Sequence, residues 1–91
     1  MSLFITAVHM EPTYGSGHEH IALVRWVDTA ADATDTSTRQ QMVDFLNRGG
    51  QAWVADAQGS VQVGVVNANP PYLRTFADGR YTDNLLSLPR F

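Results

Sequence analysis

Apolar and polar residues alternate along much of the chain, and this pattern predicts strands. Successive side chains of a strand point to opposite faces of its sheet, so a period of two is typical of one buried face. Alternation or short apolar runs cover residues 3–10, 20–27, 51–56, 61–66 and 72–76. In the first run both sets of positions are mostly apolar, which indicates cover on both faces. Strict alternation there would place Leu3, Ile5, Ala7 and His9 together.

A different spacing predicts an amphipathic helix in the middle of the chain. Met42, Phe45 and Leu46 fall at i, i+3 and i+4 and form one apolar stripe. Thr38 and Gln41 precede this stripe at capping-box spacing, and Gly49-Gly50 follows it as a left-handed stop. Because a helix of about three turns is too short to persist alone, it must pack on the sheet.

The connections between these elements predict how they are arranged. Residues 57–60 are typical of a tight hairpin with Gly59 at a positive φ, and residues 11–17 form a short loop. Residues 28–36 are polar and are predicted to be a flexible connection. The expected fold is one α+β domain over residues 1–91, with an antiparallel sheet of four to five strands and one helix on one face. The expected order is β-β-α-β-β followed by a short strand or arm.

Residues 70–91 contain the densest mixture of aromatic, arginine, turn and leucine residues. Pro70-Pro71 excludes regular β-sheet hydrogen bonding at these two residues, because proline has no N–H donor. Asp78-Gly79 predicts a turn after the run from Tyr72 to Phe76. One interpretation is a C-terminal arm whose leucines and Phe91 lie on the sheet. The other is a binding site around the turn, formed by Tyr72, Arg74, Phe76, Asp78, Arg80, Tyr81, Asp83 and Asn84. Turn caps and surface ion pairs are common, which favours the first interpretation.

Several motifs carry a family resemblance. The first is Thr6-Ala7-Val8-His9, and the second is the glycine pair at 49–50. The others lie within residues 70–91 and have the sequences PPYLRT, DG, TDNLL and LPRF. With them the chain resembles a family of small bacterial proteins catalogued only as a domain of unknown function. The resemblance covers nearly the whole chain and is most specific over residues 71–91. It implies a compact single domain and supplies no activity, cofactor or site residue.

Composition narrows the function classes. The chain has no cysteine, which excludes disulfides, thiolate zinc sites and a cysteine nucleophile. Its first residues lack a signal or membrane segment, so a cytoplasmic location is expected. The net charge of -3 disfavours nucleic acid, since affinity for phosphates depends on clustered positive charge. Weak single-stranded binding through Arg74, Arg80, Arg90 and nearby aromatics is a further alternative.

One cluster has the character of metal ligands. His9, Glu11, His18, Glu19 and His20 flank the first loop, and imidazoles with a carboxylate suit zinc or nickel. In an extended segment His18 and His20 would share a face. Histidines are also ordinary at strand ends, and no H-E-x-x-H helix accompanies these.

These observations favour a non-enzymatic binding or accessory module that uses the C-terminal arm, with a protein partner or a second copy. No G-x-S-x-G elbow and no phosphate-binding glycine loop is present. Trp26 and Trp53 are more typical of a core than of a ligand platform; on opposite faces of the sheet, one would be covered by the helix and the other would need the arm. If the arm fails to cover the second, an aromatic patch with Tyr72, Phe76 and Tyr81 would mark a partner surface.

Overall fold

The computed structural model describes residues 2–11, 17–56, 59–77, 80–82 and 84–91. In these residues the elements are β1 (Ser2–Met10), a 3₁₀ helix (His18–His20), β2 (Ile21–Asp28), β3 (Ala33–Thr38), α1 (Arg39–Asn47), β4 (Gln51–Asp56), β5 (Gly59–Val66), β6 (Tyr72–Ala77), β7 (Arg80–Thr82) and a 3₁₀ helix (Leu85–Ser87). The α+β class and the single helix of the sequence prediction are confirmed for this part of the chain.

The sheet differs from the prediction in size and in direction. In the described residues its strand order is β3-β2-β1-β4-β5-β6-β7, which gives seven strands rather than four to five. β1 and β4 are parallel, with Phe4 opposite Trp53, while the other neighbouring strands are antiparallel. The predicted all-antiparallel sheet is therefore wrong. The chain turns back through α1 before β4, and a helical crossover of this kind brings strands together in parallel.

The predicted flexible connection over residues 28–36 contains a turn and most of an additional strand. Asp28 Oδ1 accepts hydrogen bonds from the Ala30 and Ala31 amides at 3.1 and 3.4 Å and so shapes the turn. β3 then pairs with β2 along its whole length. It is an edge strand whose side chains are nearly all exposed, so no buried face produces an alternating apolar signal.

α1 begins and ends where the sequence predicts. Thr38 Oγ1 accepts from the Gln41 amide at 3.1 Å, and Gln41 Oε1 accepts from the Thr38 amide at 2.8 Å, which completes the capping box. Gly49 follows the helix with a φ of 95°. Met42 and Val43 are buried against the sheet. No helix within the described ranges is long and apolar enough to cross a membrane.

We call the side of the sheet that α1 covers the helix face, and the opposite side the outer face. One row of paired residues on the helix face, here called the helix row, crosses the four central strands and consists of Leu3, Ala52, Val63 and Thr75. Each is at most 4% exposed. With the helix and neighbouring side chains this row forms the core of the domain.

β1 does not keep strict alternation. Its register with β2 shifts between Ile5 and Ala7, which is a β-bulge at Thr6. Before the bulge Leu3 and Ile5 lie in the core, and after it Val8 and Met10 do. The prediction that Ala7 and His9 continue the face of Ile5 is therefore wrong, because one inserted residue exchanges the two faces.

The C-terminal arm, residues 84–91, packs on the domain as the favoured interpretation predicts. Leu85 is fully buried in the core with Met42 and Val43. The Val8 amide donates to the Pro89 carbonyl at 2.9 Å, and the Phe91 amide donates to the Val8 carbonyl at 3.1 Å. The arm therefore pairs with β1 beyond the part that pairs with β4.

Candidate functional site

The outer face carries a row of large side chains without a covering layer among the described residues. Phe4 is paired with Val27 on one side and with Trp53 on the other, and the row continues through Gln62 to Phe76. We call these five residues the outer row. The first three are half-buried, Gln62 is exposed, and Phe76 retains 44% of its accessible surface. The arm's leucines pack in the core, so Trp53 and Phe76 remain accessible.

A cation and a further aromatic ring extend this face towards the arm. The Arg25 guanidinium carbon lies 4.3 Å from the centre of the Phe91 ring, which is a cation–π contact. The His9 ring lies 5.8 Å from the same ring, and its Nδ1 is hydrogen-bonded to the Phe91 main-chain oxygen. These contacts fix the end of the arm as one border of the outer face.

Gly64 leaves a hollow beside the outer row. A Cβ atom added at this position would lie more than 4 Å from every non-neighbouring residue, and a depression of about 260 Å³ is lined by Gln62, Gly64, Phe76 and their neighbours on β5. Arg74 is paired with Gly64 and lies on the same face, where its Nε also donates to the Thr82 carbonyl at 3.3 Å. The hollow thus has an aromatic wall and an arginine beside it.

The charge on the outer face differs from that of the whole chain, which is -3. Arg25 and Arg74 are its strand cations. Among the strand residues whose side chains the structure describes, no Asp or Glu lies on the outer face. Asp28 and Asp35 lie on the helix face instead. Glu11, which follows β1, lies with its Oε2 3.4 Å from His9 Nε2. In its described part the outer face is therefore an aromatic surface with arginine donors, on a chain whose net charge is -3.

The structure brings together part of the predicted C-terminal site. Tyr72, Arg74 and Phe76 share the outer face, as their alternation predicts. Asn84 lies apart from them at the start of the arm, where its amide donates to Thr75 Oγ1 at 3.1 Å. The remaining predicted members lie outside the described residues or side chains: Asp78, Arg80, Tyr81 and Asp83.

The predicted metal ligands are also described, in a different local structure. His18 and His20 belong to a 3₁₀ helix rather than to a strand, so the expectation that they share a strand face is wrong. His18 is 7% exposed, and His20 Nε2 lies 3.8 Å from Glu19 Oε1. No group of three metal-binding side chains is found in the described ranges. A zinc or nickel site at these residues stays a prediction.

Single-stranded nucleic-acid binding also stays a prediction. Of its three proposed arginines, Arg74 lies on the outer face with the aromatics, whereas Arg90 is exposed and donates to the Leu86 carbonyl at 3.4 Å. The side chain of Arg80 is outside the described part of the structure.

Sequence reasoning missed several residues of the outer face. Phe4 meets Trp53 only because β1 and β4 are parallel, and Arg25 meets Phe91 only because the arm returns to β1. The sequence did contain one indication for Phe4, because in β1 both alternating sets of positions are mostly apolar and so both faces of the strand were expected to be covered. Trp26 and Trp53 do lie on opposite faces, since Trp26 is paired with Ile5 on the helix face.

Comparison with known proteins supplies the family alone. No curated protein and no solved structure matches the chain. One family model matches residues 4–89, nearly the whole sequence, and its description is a protein of unknown function, DUF3892. The resemblance seen in the sequence motifs is thereby confirmed at the level of the domain. The chain belongs to the DUF3892 family of proteins of unknown function.

Proposed function

We propose that this protein is a non-enzymatic binding module that holds a partner protein on the outer face of its sheet. The observation that carries the proposal is the outer row, in which Phe4, Trp53 and Phe76 remain accessible across three strands. Protein interfaces are enriched in aromatic and arginine side chains and depleted in acidic ones at their centres. The described side chains of the outer face have this composition, and the fixed end of the arm borders the face.

The chemistry of the face supports binding rather than catalysis. Its described side chains include aromatic rings, the Gln62 amide, the His9 imidazole and the guanidinium groups of Arg25 and Arg74. Covalent catalysis requires a nucleophile within hydrogen-bond reach of a base, and that pairing is absent from the described outer-row residues. Rings and donors of this kind recognise apolar groups flanked by hydrogen-bond acceptors.

Charge favours a different protein over a second copy as the partner. Two copies joined through their outer faces would bring the exposed Arg25 guanidinium of each copy towards that of the other. Juxtaposed like charges oppose association. A partner that surrounds apolar side chains with Asp or Glu would satisfy both features of the face.

The test compares two single substitutions. Wild-type protein, Phe76→Ser and Asn47→Ser are immobilised and exposed to extract from the cells that express the protein. Asn47 is exposed at the end of α1, away from the outer face, and serves as the matched control. We expect one protein to be retained by wild type and by Asn47→Ser and lost from Phe76→Ser.

The captured protein is then purified and titrated against the same three proteins. Removal of a central aromatic anchor should weaken binding by at least about tenfold. Equal affinity of Phe76→Ser and wild type would overturn the proposal. A wild-type dimer in sedimentation that Phe76→Ser disrupts would instead assign the face to self-association, against the charge argument.

A further inference from the structure

A second concave surface lies on the opposite side of the sheet, between α1 and β2. This cleft has a volume of about 340 Å³, which is at the lower end of the range for small-molecule sites, roughly 300–1,000 Å³. Its floor and walls are apolar and are formed by Leu3, Trp26, Met42 and Phe45. A cleft of this size and lining suits a single ring rather than a polymer.

Both aromatic walls are held in place. The Trp26 indole nitrogen donates to Ser37 Oγ at 2.9 Å, which fixes the indole plane against β3. The Phe45 ring lies directly over Gly50, where any side chain would collide with it. The two rings are therefore pre-organised, and a ligand between them would lose little free energy to ordering the site.

The rim of the cleft offers mainly donors. Ser37 Oγ already accepts from Trp26, and Gln41 Oε1 already accepts from the Thr38 amide, so their O–H and NH₂ groups are left to donate. The Arg48 guanidinium makes no hydrogen bond or ion pair with any residue that the structure describes. The Asp44 carboxylate also reaches the rim, but it accepts from Gln40 Nε2 at 3.0 Å, one turn back along α1.

We propose that this cleft binds a small aromatic carboxylate. The ring lies against Trp26 and Phe45, and the carboxylate accepts hydrogen bonds from Arg48. Guanidinium and carboxylate groups match in charge and geometry, and an aromatic ring prefers the offset contacts that two flanking rings provide. The site is independent of the proposed partner surface because it lies on the other face of the sheet.

The experiment uses phenylacetate as the probe and phenylacetamide as its neutral counterpart of nearly the same shape. Each is titrated into the whole ¹⁵N-labelled protein. Trp26 and Trp53 each give one indole N–H signal, so the tryptophan on the outer face is an internal control in every spectrum. We expect phenylacetate to shift the Trp26 signal saturably, leave the Trp53 signal in place, and bind about tenfold more tightly than the amide.

Two substitutions separate the arginine in the cleft from general charge. Arg48→Gln should make acid and amide bind equally, whereas Arg90→Gln, at an exposed position on the arm, should keep the tenfold preference. The proposal is overturned if acid and amide bind wild type equally, if neither shifts the Trp26 signal up to the solubility limit, or if Arg90→Gln removes the preference as fully as Arg48→Gln.

Discussion

Two neighbouring rows on opposite faces of this sheet differ in the size of their side chains. The helix row combines Leu3 with three smaller residues and is at most 4% exposed. One position further along β1 and β4, the outer row contains Phe4 and Trp53, and it reaches Phe76 on β6. Within these two rows the larger side chains lie on the outer face and the smaller ones lie beneath α1, although Trp26 also lies on the helix face.

This distribution is the reverse of what burial alone would favour. An aromatic side chain removes about 150–250 Å² of surface from water when it is buried, at about 25 cal/mol per Å². A single domain would gain most by placing these rings under α1. Their location on the outer face instead leaves that free energy available for association. This difference agrees with the proposal that one face supports the fold and the other supports contact with a partner.

The largest effect should come from shortening a buried side chain beside the helix row. Leu73 is fully buried on β6, and Leu73→Ala should lower the free energy of unfolding by about 2–5 kcal/mol. Phe76→Ala, three residues later on the outer face, should lower it by less than about 1 kcal/mol because half of that ring is already in water. Urea unfolding measures both. Similar losses would show that the outer row is part of the core.

A hydroxyl group in the helix row should have the next largest effect. Thr75 Oγ1 donates to the Thr82 carbonyl and accepts from both the Thr82 hydroxyl and the Asn84 amide, at 2.7–3.1 Å. Thr75→Val keeps the shape and removes these three hydrogen bonds, which should cost about 1–3 kcal/mol of stability.

Thermal unfolding followed by circular dichroism measures this loss. Thr34→Val is the matched control, because Thr34 is exposed on β3 and should change stability by about 0.5 kcal/mol or less. A Thr75→Val protein as stable as this control would exclude a structural role for the hydroxyl group where the arm begins.

The helix itself depends on its cap. Thr38→Ala removes the hydroxyl that accepts from the Gln41 amide and should lower the free energy of unfolding by about 1 kcal/mol. Thr38→Ser retains the acceptor and should lose only a small part of that. If alanine and serine are equivalent in urea unfolding, the capping box contributes nothing to holding α1 on the sheet.

The smallest effect on stability should come from the polar member of the outer row. Gln62→Val should change the free energy of unfolding by about 0.5 kcal/mol or less, because Gln62 is exposed. It should also join the apolar surfaces of Trp53 and Phe76 and so increase self-association. Sedimentation velocity compares it with Thr36→Val at the edge of the sheet. Equal sedimentation of the two would indicate that the outer row does not act as one surface.

Much of the fold was predictable because the relevant interactions are local. The capping box joins residues three apart, Gly49 follows the helix directly, and Tyr72, Arg74 and Phe76 share a face through the geometry of one strand. The part of the candidate site that was predicted, the three residues on β6, also depends only on local strand geometry. Each of these features depends on neighbours along the chain, which the sequence displays.

The features of the fold that were not predicted depend on contacts between segments that are distant in the sequence. The sequence by itself determined the helix, the central strands and the family of the chain. Only the tertiary structure decided that β1 and β4 are parallel, that the bulge at Thr6 exchanges the faces of β1, and that β3 adds an edge. Strand direction and register follow from which faces can be buried together once the chain is folded, and no short stretch of sequence contains that information.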